Sequence, residues 1–195
     1  AYPIVFGRED GWPIALLGLG EGNRQVDPSS GEWVKDQYVP AYIRRYPFVF
    51  VAQDDRLILA VDVESDRLSD RVEGQPLFED GQPSAVTREA LAFCGEFQAA
   101  HQDTRAFVAA LVDHDLLVDR TASIRLKEGE ARRMGGFRVI DPARWSALGD
   151  EAALTFRKAG WDQLVHAHFW SLDRFDALLS QERASQATAP AKPKK

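Results

Sequence analysis

Cysteine is almost absent from this chain: Cys94 is the single one in 195 residues. No intramolecular disulfide can form, so stability has to come from an apolar core. One cysteine suits a reducing compartment, and it equally suits the many exported bacterial proteins that lack disulfides. A basic excess is absent too. Lys and Arg number 24 against 30 Asp and Glu, for a net charge of −6 and a pI near 5.3. That argues against a nucleic-acid binder held by phosphate contacts, while leaving room for a local basic patch. No apolar run is long enough to span a bilayer, and no charged-apolar-small leader opens the chain. Cytoplasmic and cell-surface-associated locations both stay open.

Catalytic signatures are missing as well. There is no P-loop, nucleophile elbow, CxxC pair or HExxH. Gly18-Leu19-Gly20-Glu21-Gly22 imitates a phosphate loop, but the third glycine of a dinucleotide fingerprint falls at Asn23. No helix follows to present its N-terminus, so the run reads as a strand end. No cofactor is implied.

What is present is an ordinary globular composition, 45% hydrophobic, enough for a real core. Apolar runs at Pro3–Phe6 and Pro13–Leu19 flank a polar turn and predict a hairpin. Phe48–Ala52 and Leu57–Val63 predict a second, around Gln53-Asp54-Asp55-Arg56. Both of its runs are almost wholly apolar, so it is expected to be central and covered on both faces. Ser84 to Asp113 has helical periodicity on Val86, Ala90, Phe93, Phe97, Thr104, Phe107, Val108 and Leu111.

Short strands are expected at Leu116–Val118, Ile124–Leu126 and Phe137–Ile140. Asp141-Pro142 is a helix start, with an Asp cap before a first-turn proline. Gly160 breaks a helix, and a last helix is expected from Trp161 to Glu182. The class is α+β: an antiparallel, β-rich N-terminal half with a long central helix and C-terminal helices. Residues 1–183 are expected to form one domain, and residues 184–195 a disordered Ala/Pro/Lys tail.

The densest stretch runs from Tyr38 to Val51. It places three tyrosines, two prolines and the pair Arg44-Arg45 directly ahead of an apolar strand. Read as extended, it puts Arg44 and Tyr46 on one face and Arg45 on the other. A covered arginine there needs a partner. Either Asp62 or Glu64 on the neighbouring strand pins it, or it binds an anion against a tyrosine wall. Tyr42, Arg44, Arg45, Tyr46 and His168 are the candidate ligand-binding residues.

The acidic run Asp62, Glu64, Asp66, Asp70 and Glu73 has the oxygen spacing of a calcium loop. Arg67 stands where that loop needs glycine, so a solvated acidic loop is the simpler reading. Of the four histidines, His166 and His168 lie two apart on a helix and face different ways. His168 falls in an apolar stripe with Trp161, Leu164, Val165, Leu172, Phe175 and Leu179, where a partnered core histidine is the ordinary reading. His114 ends the central helix beside its negative pole. Cys94 lies by the apolar face of that helix, as an inert thiol does. Trp12, Trp33 and Trp170 are candidate interface residues, falling in loops or on a polar helix face.

Several of these segments resemble the bacterial SapC family. They are Tyr2-Pro3-Ile4-Val5-Phe6, Tyr38 through Phe48, Pro76 through Pro83, and Gly136-Phe137-Arg138-Val139-Ile140-Asp141. Gly160-Trp161 with Ala167-His168 and Ser171-Leu172 completes the set. The resemblance runs in order from Tyr2 to about Leu179. Family members usually carry a segment ahead of the Tyr-Pro-Ile-Val-Phe run. The resemblance implies a surface-layer-related or accessory binding protein without catalysis of its own. Its alternative is an enzyme or enzyme subunit acting on a small anionic or peptide substrate, including a partner of a flavin-dependent halogenase-like enzyme. The partner is then a protein or a small anionic ligand, and the resemblance supplies no catalytic residues. Two namesakes are excluded physically: a permease must span a membrane, and a saposin is stapled by disulfides.

Overall fold

The computed structural model describes residues 1–20, 22–71, 74–125 and 131–188. Its strands are β1 (Ile4–Gly7), β2 (Pro13–Ala15), β3 (Phe48–Gln53), β4 (Arg56–Val61), β5 (Phe78–Glu79), β6 (Gln82–Pro83), β7 (Leu117–Arg125) and β8 (Ala131–Ile140). Its helices are α1 (Ala41–Arg44), α2 (Ala85–Asp113), α3 (Pro142–Ser146), α4 (Asp150–Lys158), α5 (Trp161–Leu172) and α6 (Arg174–Thr188). The class is α+β, with all strand pairs antiparallel. Two compact units result: residues 1–37 with 105–195, and residues 38–104. The helix α2 contributes residues to both.

In the first unit a four-stranded sheet runs β2-β1-β8-β7. The opening strand β1 pairs with β8 at Phe6↔Arg138 and Gly7↔Phe137, closing the unit across most of the sequence. Phe6, Leu111, Leu116, Ile140, Phe156 and Val165 form its core, all essentially without solvent contact. Burying each is worth about 1.5–3 kcal/mol. A smaller cluster joins Leu19 to Leu178, with Leu16, Phe175 and Leu179 around it. This is where the Gly18–Gly22 run goes: its leucine is an anchor.

The cap at Asp141 forms as the sequence predicts, its carboxylate accepting from the amides of Ala143 (2.8 Å) and Arg144 (3.1 Å). Those amides, Arg144 first, hold the carboxyl below its ordinary pKa. Gly160 takes a left-handed φ of 74° between α4 and α5, a conformation that favours glycine.

Other expectations change. The separate strands predicted after α2 are two long ones, β7 and β8, with a register irregularity between Arg120 and Ala122. Leu126 lies outside the described residues. The last helix is broken at Asp173 into α5 and α6. Near the break, the Ser171 hydroxyl donates to the His168 carbonyl at 2.7 Å, local bonding of the kind that bends helices. The helix α6 continues to Thr188, past residue 183, and residues 189–195 lie outside the described residues.

In the second unit, β3 and β4 make a two-stranded sheet of their own rather than a central hairpin. Val51, Leu57 and Ile58 near its turn stay about half exposed. The turn itself falls at Asp54-Asp55 as expected, with Asp54 at φ 52°.

Candidate ligand-binding cleft

The segment read as extended is one helical turn. Pro40 sits at the N-cap of α1 with ψ 143°, and the turn ends before Pro47, whose peptide bond with Tyr46 is cis. Two prolines thus bracket Ala41–Arg44, one suited to entering a helix and one that ends it. The consequence for the site is a change of faces. In a turn, Tyr42 and Arg45 share a side, and Arg44 points elsewhere.

Arg45 is half-buried between two rings. Its guanidinium carbon lies 4.6 Å from the centre of Tyr42 and 4.7 Å from that of Phe97 on α2. Tyr42 and Phe97 are themselves 6.4 Å apart. Arg44 lies over Phe93 at 5.1 Å and over Tyr38 at 5.6 Å, and its Nε donates to the Val39 carbonyl at 3.0 Å. Neither arginine has a carboxylate within ion-pair distance among the described residues. The expected pairing with Asp62 or Glu64 does not form. Asp62 instead accepts the Tyr46 hydroxyl at 3.0 Å and the Glu64 amide at 3.1 Å.

These side chains surround a cleft of about 370 Å³, walled by Tyr42, Tyr46, Phe48 and Val49 and edged by Arg45, Asp62 and Arg67. The sequence reading missed Arg67 as a site residue. It donates to the Tyr46 carbonyl at 2.9 Å and lies 5.7 Å from the Tyr46 ring. The signal was available: it is one of two arginines, with Arg71, set in an acidic run. Two guanidinium groups therefore face one carboxylate in this cleft, and that carboxylate is already engaged. Behind Arg45, Cys94 is buried. Burial pushes its thiol pKa up, with the Arg45 charge pulling the other way. A raised thiol pKa makes a poor nucleophile.

His168 belongs to the first unit and is 3% exposed. Its Nε2 accepts the Ile140 amide at 3.1 Å. Its Nδ1 is buried facing the Ile4 backbone, short of hydrogen-bond geometry. Burial lowers its pKa from 6.5 to about 4, against a weaker opposing pull from Ile4. One turn on, Ser171 accepts the Ile4 amide at 3.0 Å. His168 and Ser171 thus fasten α5 to β8 and β1. The ring is neutral, enclosed and occupied with backbone.

His166 points the other way, exposed, 6.2 Å from the Trp170 ring. Trp170 is 71% exposed, whereas Trp12 and Trp33 are half-buried, Trp33 edge-on to Tyr2 at 6.5 Å. Of the acidic run, Glu73 lies outside the described residues. Among the described residues, no three His, Cys, Asp or Glu side chains gather as a metal site, and no helix is long and apolar enough to cross a membrane.

No curated protein and no solved structure matches this chain. The model of the SapC family matches residues 1–178. That covers all of the second unit, the first as far as residue 178, and with them the Arg45 cleft and the His168 clasp. The chain belongs to the SapC family.

Proposed function

We propose that this SapC-family protein is a binding protein, surface-layer-related or accessory, with no catalytic activity of its own, and that it holds an anionic group at Arg45. The observation that carries this reading is the state of Arg45. Its guanidinium is clamped between Tyr42 and Phe97 at the edge of an open cleft, with no carboxylate within ion-pair distance among the described residues. An arginine fixed by stacking keeps its N–H donors for a ligand and loses little freedom on binding. A carboxylate with an apolar body fits best: the carboxylate takes the guanidinium fork, and the body lies on Tyr46, Phe48 and Val49.

Calorimetric titration with N-acetylphenylalanine tests it. Binding is expected, and Arg45→Gln weakens it by about tenfold or more, the scale of one charge-assisted pair. Equal binding by wild type and R45Q sinks the reading.

A second reading, an enzyme or enzyme subunit acting on a small anionic or peptide substrate, rests on the Tyr46–Asp62 hydrogen bond at the same cleft. It sets a phenol and a carboxylate beside the anion site, as acid–base chemistry requires. Tyr46→Phe separates the two. A binder keeps its affinity, and an enzyme keeps affinity but stops turning over.

A further inference from the structure

The Arg45 cleft is not isolated. A second hollow of about 490 Å³ adjoins it and shares Pro47, Phe48 and Arg67 with it. A third, of about 250 Å³, shares Arg45, Tyr46 and Phe48 with the first and Val86 with the second. Phe48 lines all three, so they border one another at this residue and are treated together as one basin. The second hollow adds Arg71 and the third adds Arg44 and Glu89. Among the described residues, four arginines thus line these hollows against two carboxylates, Asp62 and Glu89, in a protein whose overall charge is −6. Arg71 has no ion-pair partner among the described residues, and neither has Arg67, which gives one donor to a backbone carbonyl. A local excess of cations on an acidic protein selects its partner by charge.

We infer that this basin takes an extended acidic peptide segment of another protein, its carboxylates spaced along the path from Arg71 through Arg67 to Arg45. This deepens the reading of the Arg45 cleft and rests on it. Three features favour a chain over a small molecule. The cations are spread over linked hollows rather than focused on one point. The path between Arg67 and Arg71 is walled by Leu68, Pro76, Leu77 and Val86, apolar groups on which side chains of an extended strand pack. The arginine donors suit repeated bidentate carboxylate pairing.

The test is titration of the full chain with three probes. They are a blocked glutamate-rich peptide long enough to span the basin, its glutamine counterpart, and N-acetylphenylalanine as a lone carboxylate. The glutamate peptide is expected to bind at least about tenfold more tightly than either of the others, and to lose affinity steeply with salt. Arg71→Gln is expected to weaken the glutamate peptide by about tenfold and to leave N-acetylphenylalanine unchanged. Arg45→Gln weakens both.

If R71Q leaves the peptide unaffected, or the glutamine peptide binds as well, the extended ligand is wrong, while Arg45-dependent binding of N-acetylphenylalanine keeps the simpler reading. If no probe binds, both fall. A further titration, with an oligothymidylate, guards the assignment: binding tighter than that of the glutamate peptide overturns it, since the basin is then reading phosphate.

Discussion

The two units treat apolar side chains in opposite ways. Among the described residues, of the fifteen hydrophobic ones most thoroughly buried, fourteen belong to the first unit and Cys94 to the second. Of the fifteen large hydrophobics left exposed among the described residues, nine lie in the second, from Tyr38 and Tyr42 through Val51, Leu57 and Ile58 to Leu91. Charge divides in the same direction. The first unit buries Glu182 against Arg24 in a two-pronged pair at 2.9 and 3.0 Å and neutralises His168. The second leaves arginines stacked on rings at the edge of a cleft. A region that spends its apolar groups on itself is built to persist. A region that leaves aromatic and cationic groups open is built to meet something.

The largest test of that contrast is a pair of truncations. Phe156→Ala in the first unit removes a fully buried ring touching Phe107, Trp145 and Trp161, and is expected to cost about 3–5 kcal/mol. Val51→Ala on the half-exposed hairpin is expected to cost less than about 1 kcal/mol. Chemical denaturation measures both, and comparable losses break the contrast.

Next in size is a pH effect confined to the first unit. His168 is held at about pKa 4 in the fold against an ordinary 6.5. The unfolded chain therefore takes up a proton between those values and the folded chain does not, so stability falls as pH drops from 6.5 toward 4. The full effect is about 3 kcal/mol. His168→Leu is expected to flatten that part of the profile, whatever its effect at neutral pH. A profile of unchanged slope in the variant means another group is responsible.

These two units were unequally legible in the sequence, for physical reasons. The helix α2 was read within one residue of its observed start, because an apolar stripe repeats with helical period over its whole length. The Asp141-Pro142 start was equally plain, because capping chemistry is local. The single turn α1 was misread as extended. One turn has too few residues for a period to show, and its tyrosine and isoleucine favour strands. The length of β7 and β8 was hidden by charged and glycine residues around Arg120 and Gly135, which carry no core signal. The pairing of β1 with β8 links residues more than a hundred apart, which no local pattern encodes.

The cleft followed the same rule. Tyr42, Arg45 and Tyr46 stood out as a cluster. Phe97 and Arg67 join them only in space, one as a core-patterned helix residue and the other as one of two arginines in an acidic run.

A smaller effect sharpens the description of the cleft. Phe97→Leu keeps an apolar neighbour but removes one of the two rings that clamp Arg45. A ring–guanidinium contact at a partly exposed site is worth about 0.5–1 kcal/mol, so affinity for N-acetylphenylalanine is expected to fall by about two- to fivefold. A loss as large as that of Arg45→Gln means the ring itself touches the ligand. No loss means that Tyr42 alone positions the guanidinium.

The smallest expected effect falls on Trp170, the most exposed of the large hydrophobics that the first unit leaves open among the described residues. Its ring is 71% exposed and its nearest aromatic neighbour is the exposed His166, tilted by 33° at 6.2 Å. Asp162, His166 and Trp170 fall four apart along α5, so they form one outward row on the side opposite His168. A ring with so little covered area contributes little to folding, and Trp170→Ser is expected to change stability by less than about 0.5 kcal/mol. Thermal melts of the two proteins measure it directly. A clear drop would mean that Trp170 packs in the folded chain more than its exposure allows, and the outward row of α5 would then count as structure. An unchanged melt leaves Trp170 as surface that the fold does not need, which is the property an interface residue requires and a core residue cannot have.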